Sequence, residues 1–233
     1  MGAIFDGFAE AFRLLFTFDA EVWGIVLLSV RVSGTAVALA SLLGIPAGTL
    51  VGLSSFRGKT MLKNLINTFM GFPPVVMGLL LFLLLSKSGP LGSMGLLYTQ
   101  TAMMVAQFLL AVPIVAGTSI AAVESVSPDL KETVLSLGAS KSQLWWQVVR
   151  EGRRSVVAGV LVAFGQAISE VGAVMIVGGN IRWHTRTFTT AIVLQTRLGE
   201  FGMAIALGVT LLTVTFLINI WLTRLQAEGG ARG

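Results

Sequence analysis

Ala204-Ile-Ala-Leu-Gly-Val-Thr-Leu-Leu-Thr-Val-Thr-Phe-Leu-Ile-Asn-Ile-Trp-Leu222 contains no Asp, Glu, Lys or Arg. A helix needs about 20 predominantly apolar residues to cross the hydrocarbon of a bilayer, and this run reaches that length. Four more long apolar runs occupy residues 22–53, 61–85, 98–123 and 156–178. Only helices and closed barrels satisfy their backbone inside lipid. The strict alternation of barrel strands is missing, so the sequence predicts an all-α membrane protein with about five transmembrane helices.

The composition agrees. Of 233 residues, 55% are hydrophobic and 12% are charged, with a net charge of +5. Mean hydropathy is +0.86 and the pI is near 10.2. Soluble domains carry about a quarter charged residues. A basic balance in a soluble chain points to nucleic acid. Here it reflects Lys and Arg retained on the cytoplasmic side of a membrane, so a lipid bilayer, and no nucleic acid, is the expected partner. No cysteine is present, which excludes disulfides and thiolate metal sites.

The runs divide the chain. Residues 1–20 place Ile4, Phe8, Phe12 and Leu15 at helical spacing, with Asp6, Glu10 and Arg13 elsewhere, as in a helix lying at the interface. Acidic leading charges and the lack of a small-residue cleavage site argue against a signal peptide. Residues 21–226 form the transmembrane domain and 227–233 a short cytoplasmic tail. The first run is longer than one crossing needs, so it tilts, bends or begins at the interface. Orientation follows from Lys and Arg. One set of connections holds Arg57, Lys59, Lys63, Lys131, Lys141, Arg150, Arg153, Arg154, Arg224 and Arg232; the other holds only Arg13, Lys87, Arg182, Arg186 and Arg197. The richer side is cytoplasmic, with the N-terminus outside and the C-terminus inside.

The longest cytoplasmic connection, 124–155, carries helix signals. Ser127 can cap a helix with Pro128 first and Asp129 in its opening turn. Gly138 stands where that helix should stop. Ser140 with Gln143 makes a capping box for a second helix, whose apolar side is Leu144, Trp145, Val148 and Val149. The expectation is a helix–Gly–helix elbow. Its apolar side either docks in a groove on a soluble partner or anchors a plain interfacial elbow through its tryptophans.

Glu132, Gly138-Ala139-Ser140, Trp145-Trp146 and Val148-Val149 resemble the cytoplasmic signature of ABC importer permeases. Thr133-Val134 and Glu151 depart from the alanine pair and the closing Pro of that signature. Phe72-Pro-Pro-Val-Val-Met-Gly-Leu, Ser86-Lys-Ser-Gly-Pro-Leu-Gly, Ala167-Ile-Ser-Glu-Val-Gly-Ala-Val, Val177-Gly-Gly-Asn-Ile and Thr189-Thr-Ala-Ile-Val-Leu are similar to tungstate permeases and, more loosely, to molybdate and sulfate permeases. The resemblance implies a permease subunit of the bacterial or archaeal inner membrane. It implies a second permease copy, an extracytoplasmic substrate-binding protein, and an ABC ATPase that binds ATP and Mg, with no cofactor in this chain. It makes Glu132, Gly138, Ala139, Ser140, Leu144 and Trp145 the expected ATPase-coupling residues.

Inside the membrane, Gly44, Gly48 and Gly52 repeat every four residues, a spacing that lets helices approach closely, within the chain or at a dimer seam. Arg31 and Glu170 are the buried charges, at depths of about 13 Å and about 12 Å by helical rise. They are expected to pair, since an unpaired charge at such depth is costly. Gln166, Ser169, Glu170 and Ala173 should form one continuous stripe. The pathway or gate candidates are Glu170, Ser169, Arg31, Asn180, Pro73 and Pro74. The bland alternatives are a helix-bracing Glu170, a snorkelling Arg31 and simple kinks at Pro73-Pro74 and Pro113. Asn219 is expected to hydrogen-bond between helices. In the longest outer loop, 178–203, Gly178-Gly179-Asn180 with Arg182, Arg186 and Arg197 can receive an oxyanion or form a solvated hairpin; a lone His184 makes no metal site.

Gly52-Leu-Ser-Ser-Phe-Arg-Gly-Lys-Thr60 is not a phosphate-binding loop, because the spacing requires Gly at position 53, which is Leu. The chain thus has no nucleotide site. No clustered His, paired carboxylates or nucleophile–base pair supports an enzyme. The remaining alternative is an ion-coupled secondary transporter of a small anion, with Arg31 and Glu170 as a relay. It leaves the elbow unexplained and expects internal repeats, which are absent.

Overall fold

The computed structural model describes residues 19–228 and, before them, residues 8, 9, 12, 13 and 17. The interfacial helix expected over 1–20 falls largely outside the described residues, as does the tail beyond 228. Ten α-helices follow in order: α1 (Ala20–Leu53), α2 (Lys59–Met70), α3 (Pro74–Leu85), α4 (Gln100–Glu124), α5 (Pro128–Ser136), α6 (Lys141–Glu151), α7 (Arg153–Ser169), α8 (Gly172–Gly178), α9 (Phe188–Arg197) and α10 (Phe201–Glu228). Described residues include no strand.

Three helices are long and apolar enough to cross a membrane, or up to five spans if α2–α3 and α7–α8 each count as one bent span. The expected number is thus reached only with two broken spans. At the first break Pro74 opens α3 at its first position, where its missing N–H costs nothing. Pro113, expected to interrupt its span, lies inside the continuous α4. In lipid the surrounding ladder and neighbouring helices compensate the lost bond. The long first run is one helix, α1, of 34 residues with Pro46 inside. At about 1.5 Å per residue it exceeds the roughly 30 Å hydrocarbon core, so it must tilt or protrude. Leu42 and Leu212 are 69% and 71% exposed, as lipid-facing side chains are.

The chain divides into two compact units, one of residues 1–36, 73–107 and 165–233, the other of 37–72 and 108–164. In the first, the Asp19 carboxylate accepts from the amides of Glu21 and Val22, both at 3.0 Å, and so caps α1. Phe188, fully buried, opens α9 against Val22, Ile25, Val26, Ala206 and Leu207. Its amide donates to Ser29 Oγ at 3.0 Å. Helix α3 lies on α8 at Gly78, where a Cβ would come within 2.7 Å of Ala173 Cα. Glycine is required by that close approach.

In the second unit α1 packs on α4 through the four-residue glycine repeat. A Cβ at Gly44 would meet Val115 at 3.0 Å, one at Gly52 would meet Val123 at 2.8 Å, and one at Gly48 would strike the carbonyl of Ala116. The glycine face is therefore used within the chain. Asn219, in α10, donates to Thr215 O at 3.0 Å. It bonds back one turn along its own helix rather than across to another, since that carbonyl is always within reach.

Candidate functional site

The elbow over residues 127–151 forms as its residues dictate. Ser127 Oγ accepts from the amide of Leu130 at 3.3 Å and Pro128 starts α5. At the far end Gly138 takes φ +80°. The Gly138 and Ala139 amides donate to Leu135 O at 3.0 Å and Val134 O at 3.3 Å. This is the complete pair of Schellman bonds, and it needs a left-handed residue that glycine supplies without strain. Ser140 then opens α6: its amide donates to Gln143 Oε1 at 2.7 Å and its Oγ accepts the Gln143 amide at 3.3 Å.

The expected docking side faces inward instead. Val148 is fully buried with Val123 and Val126, and Leu53, Leu130 and Leu144 pack on them. An amphipathic helix with one apolar stripe spends that stripe on its own protein first, because burial there stabilises by about 25 cal/mol per Å². Trp145 is half-buried, its ring edge-on to Trp146 at 5.0 Å. The apolar groups left exposed on the elbow are Leu135, Leu137 at 81% and Trp146 at 67%. Glu132 is exposed beside them. Beneath the elbow, Lys131 Nζ donates to Val123 O at 2.8 Å and Lys59 Nζ to Gly52 O at 2.8 Å. Each cation covers the C-terminal carbonyls of a long helix. Glu124 bridges Lys63 at 2.6 Å and Lys59 at 3.2 Å.

Of the pathway candidates, Glu170, Ser169, Asn180, Pro73 and Pro74 lie in the other unit next to α8 or to α3, which packs on it, and Arg31 does not join them. The fourth span breaks at Glu170–Val171, where α7 and α8 differ in direction by 54°. A break frees carbonyls, and buried ones need partners. Gln107 Nε2 donates to Ala167 O at 2.7 Å, and Thr189 Oγ1 donates to Glu170 O at 2.7 Å. The Glu170 carboxylate accepts the Ala173 amide at 2.7 Å. This is a short bond at the start of α8. Gln107 Oε1 is buried without a partner among the described residues.

Two expectations fail here for one reason, the break. The stripe is not continuous: Gln166 and Ser169 are exposed, whereas Glu170 and Ala173 are buried. Ser169 Oγ donates to Gly165 O at 2.7 Å. Nor does Arg31 pair with Glu170. The carboxylate is taken by a backbone amide that the break itself exposes, while Arg31 is exposed. Pro73 and Pro74 start α3, which lies along α8. Asn180 follows α8 at φ +51° and donates through Nδ2 to Thr190 O at 3.3 Å. Glu170 and Asn180 are therefore both held by the opening of α9. Gln107 and Thr189 were not singled out from sequence; a lone Gln in an apolar run was the available signal.

The loop between α8 and α9 is also built tightly. The Thr185 hydroxyl accepts the Ile181 amide at 2.9 Å and donates to Gly178 O at 2.5 Å. Glu21, in the first turn of α1, accepts from Arg186 Nη1 at 3.1 Å and Arg182 Nε at 3.0 Å. The Glu21 carboxylate pushes the Arg182 pKa up, so that guanidinium stays charged.

Comparison with known proteins places these features. A family model described as "binding-protein-dependent transport system inner membrane component" matches residues 44–228. The chain is 43% identical over 228 residues, 98% of its length and 100% of the relative's, to the tungstate uptake system permease protein TupB of Peptoclostridium acidaminophilum. It is 44% identical over 200 residues, 84% of its length and 86% of the relative's, to a probable anion ABC transporter permease of Haloferax volcanii. A solved bacterial ABC transporter involved in alginate import shares the fold, with TM-score 0.74 and 15% identity over 94% of this chain and 83% of that one.

Proposed function

This chain belongs to the family of binding-protein-dependent transport system inner membrane components, and on that premise we propose that its cargo is a tungstate-like oxyanion. It is a multi-pass permease subunit. In our reading it works as a pair of permease copies. A binding protein delivers the ion outside, and a separate ATPase hydrolyses MgATP inside. The N-terminus is outside and the C-terminus cytoplasmic. Near full-length likeness to a tungstate permease supports tungstate first and molybdate next. The two dianions match in charge and nearly in size, so the binding protein makes most of the distinction.

The observation that carries the mechanism is the doubly capped elbow at Gly138. Its backbone is fixed by local bonds, and it exposes Leu137, Trp146 and Glu132, which suit a groove on the ATPase. Ala139 and Ser140 shape the turn, while Leu144 and Trp145 seat the elbow from behind. The break at Glu170, with Asn180 and the α3 start at Pro73-Pro74, is the candidate gate. A secondary transporter has no use for such an elbow.

Proteoliposomes containing the permease and its ATPase decide this, with ATP inside and binding protein and tungstate outside. Uptake is expected to require both ATP and binding protein. Uptake driven by an ion gradient without ATP would assign the protein to secondary transport. For orientation, single cysteines replacing Ser88 and Lys141 can be probed in whole cells with an impermeant thiol reagent, since the chain has no cysteine of its own. Ser88→Cys should label and Lys141→Cys should not; the reverse pattern inverts the topology.

A further inference from the structure

Within the first unit a pocket of about 210 Å³ is lined by Glu21, Leu28, Arg31, Gln100, Trp183 and Arg186. Its charges do not balance. Arg31 has no hydrogen-bond or ion-pair partner among the described residues. Arg186, only 15% exposed, donates through Nη1 to Glu21, yet its Nε is buried with no acceptor among the described residues. Arg182 holds the same Glu21 carboxylate. One carboxylate therefore faces three guanidiniums, and one buried N–H is left unmet. Native proteins seldom leave a buried donor so.

The walls are held in place for a purpose other than packing. Trp183 adopts φ +65°, a region that a bulky side chain avoids. Strain of this kind gathers where a site uses it. Its ring lies over Gly24, where a Cβ would meet it at 3.4 Å. The loop cannot easily relax, because Gln100 Nε2 donates to His184 O at 3.0 Å and Thr185 closes the turn behind it.

We propose that this pocket is a binding site for a tetrahedral oxyanion, with Arg31 and Arg186 as its ligands and Glu21 as the internal anion that occupies the Arg186 guanidinium while the site is empty. Guanidinium forks match the oxygens of such an ion. Glu21 lowers the affinity by competition, as suits a site that must release its cargo. The inference rests on the oxyanion-import reading and gives the released ion a first stop on the permease itself.

The test uses the full permease–ATPase complex in phosphate-free maltoside detergent, titrated calorimetrically with sodium tungstate against sodium chloride of equal ionic strength. Saturable tungstate binding is expected. Arg31→Gln should weaken it at least ten-fold, Arg31→Lys should restore part, and Glu21→Gln should tighten it. Size-exclusion profiles confirm that each variant remains assembled. Arg31 is exposed and unpartnered, so its variants should fold. No saturable binding, or equal binding by wild type and Arg31→Gln, overturns the site. A phospholipid phosphate offers the same chemistry, so the titration is repeated with phosphatidylglycerol added. Tungstate that competes with the lipid supports the proposal, whereas binding of lipid alone overturns it. Import by the assembled complex is measured separately: failure there sinks the transport reading, while intact import without tungstate binding sinks only the pocket.

Discussion

The elbow at Gly138 and the break at Glu170 both stop one helix and start another, and they satisfy the stranded backbone from opposite sources. At the elbow the capping partners lie within five residues: Leu135 and Val134 for the Gly138 and Ala139 amides, and Ser140 with Gln143 across the second cap. At the break the freed carbonyls are met by Thr189 and Gln107, 19 and 60 residues away in sequence. A locally closed element keeps its shape when its surroundings move, which suits a contact that transmits force. An element closed by distant helices changes whenever those helices shift, which suits a gate. The difference is one of where the hydrogen bonds go, and it can be broken experimentally at either end.

The largest effect is expected from Gly138→Val. A β-branched residue at φ +80° is strained by roughly 1–3 kcal/mol, and the two Schellman bonds depend on that conformation. Uptake and association with the ATPase should be lost while the protein still inserts in the membrane. Normal uptake by this variant would remove the elbow from the mechanism.

Next comes Thr189→Val. It strands the Glu170 carbonyl at the break, which accepts from Thr189 Oγ1 at 2.7 Å, and a buried acceptor left unmet costs about 1–3 kcal/mol. Thermal unfolding of the detergent-solubilised protein should fall by that amount, and more than for Ser140→Ala at the elbow, where losing one cap costs about 1 kcal/mol. If the cap variant proves the more damaging, the contrast between local and distant closure is wrong.

The same contrast governs what could be read from the sequence. Ser127-Pro128, Gly138 and Ser140 with Gln143 announce themselves within three residues, so the elbow was legible to its caps. The glycine repeat at 44, 48 and 52 was legible as a close helix approach for a similar reason. The break at Glu170 was not, because residues 156–178 read as one apolar run with no Pro, and the partners that permit a break are far off in the chain. The depths that paired Arg31 with Glu170 assumed a straight helix. On the elbow, the apolar stripe is legible in the sequence but its destination is not: Val148 and Leu144 fill the protein's own core, and Leu137 and Trp146 are left outside.

A smaller effect is expected at the cations beneath the elbow. Glu124 is 35% exposed and its two lysines 24% and 34%, and exposed ion pairs contribute about 0–1 kcal/mol. Glu124→Gln should therefore shift thermal stability by less than Thr189→Val, and the shift should shrink with added salt. A larger, salt-independent loss would mean that the elbow leans on this bridge and is not closed by local bonds alone.

The smallest expected quantity is a coupling energy. The Glu170 carboxylate is held by the Ala173 amide at 2.7 Å, and Arg31 lines a pocket with Glu21 and Arg186 instead. Each residue can then be removed without stranding the other. Glu170→Gln keeps an oxygen that can still accept from Ala173. Arg31→Met removes a cation with no protein partner among those described. In a double-mutant cycle the two losses of stability should add within about 0.3–0.5 kcal/mol, as they do for independent sites. A coupling well above that would show that the two charges meet in some state of the transport cycle. The break at Glu170 would then be closed by charge as well as by its backbone, and its distinction from the elbow would sharpen further: only one of the two would carry a charge that moves.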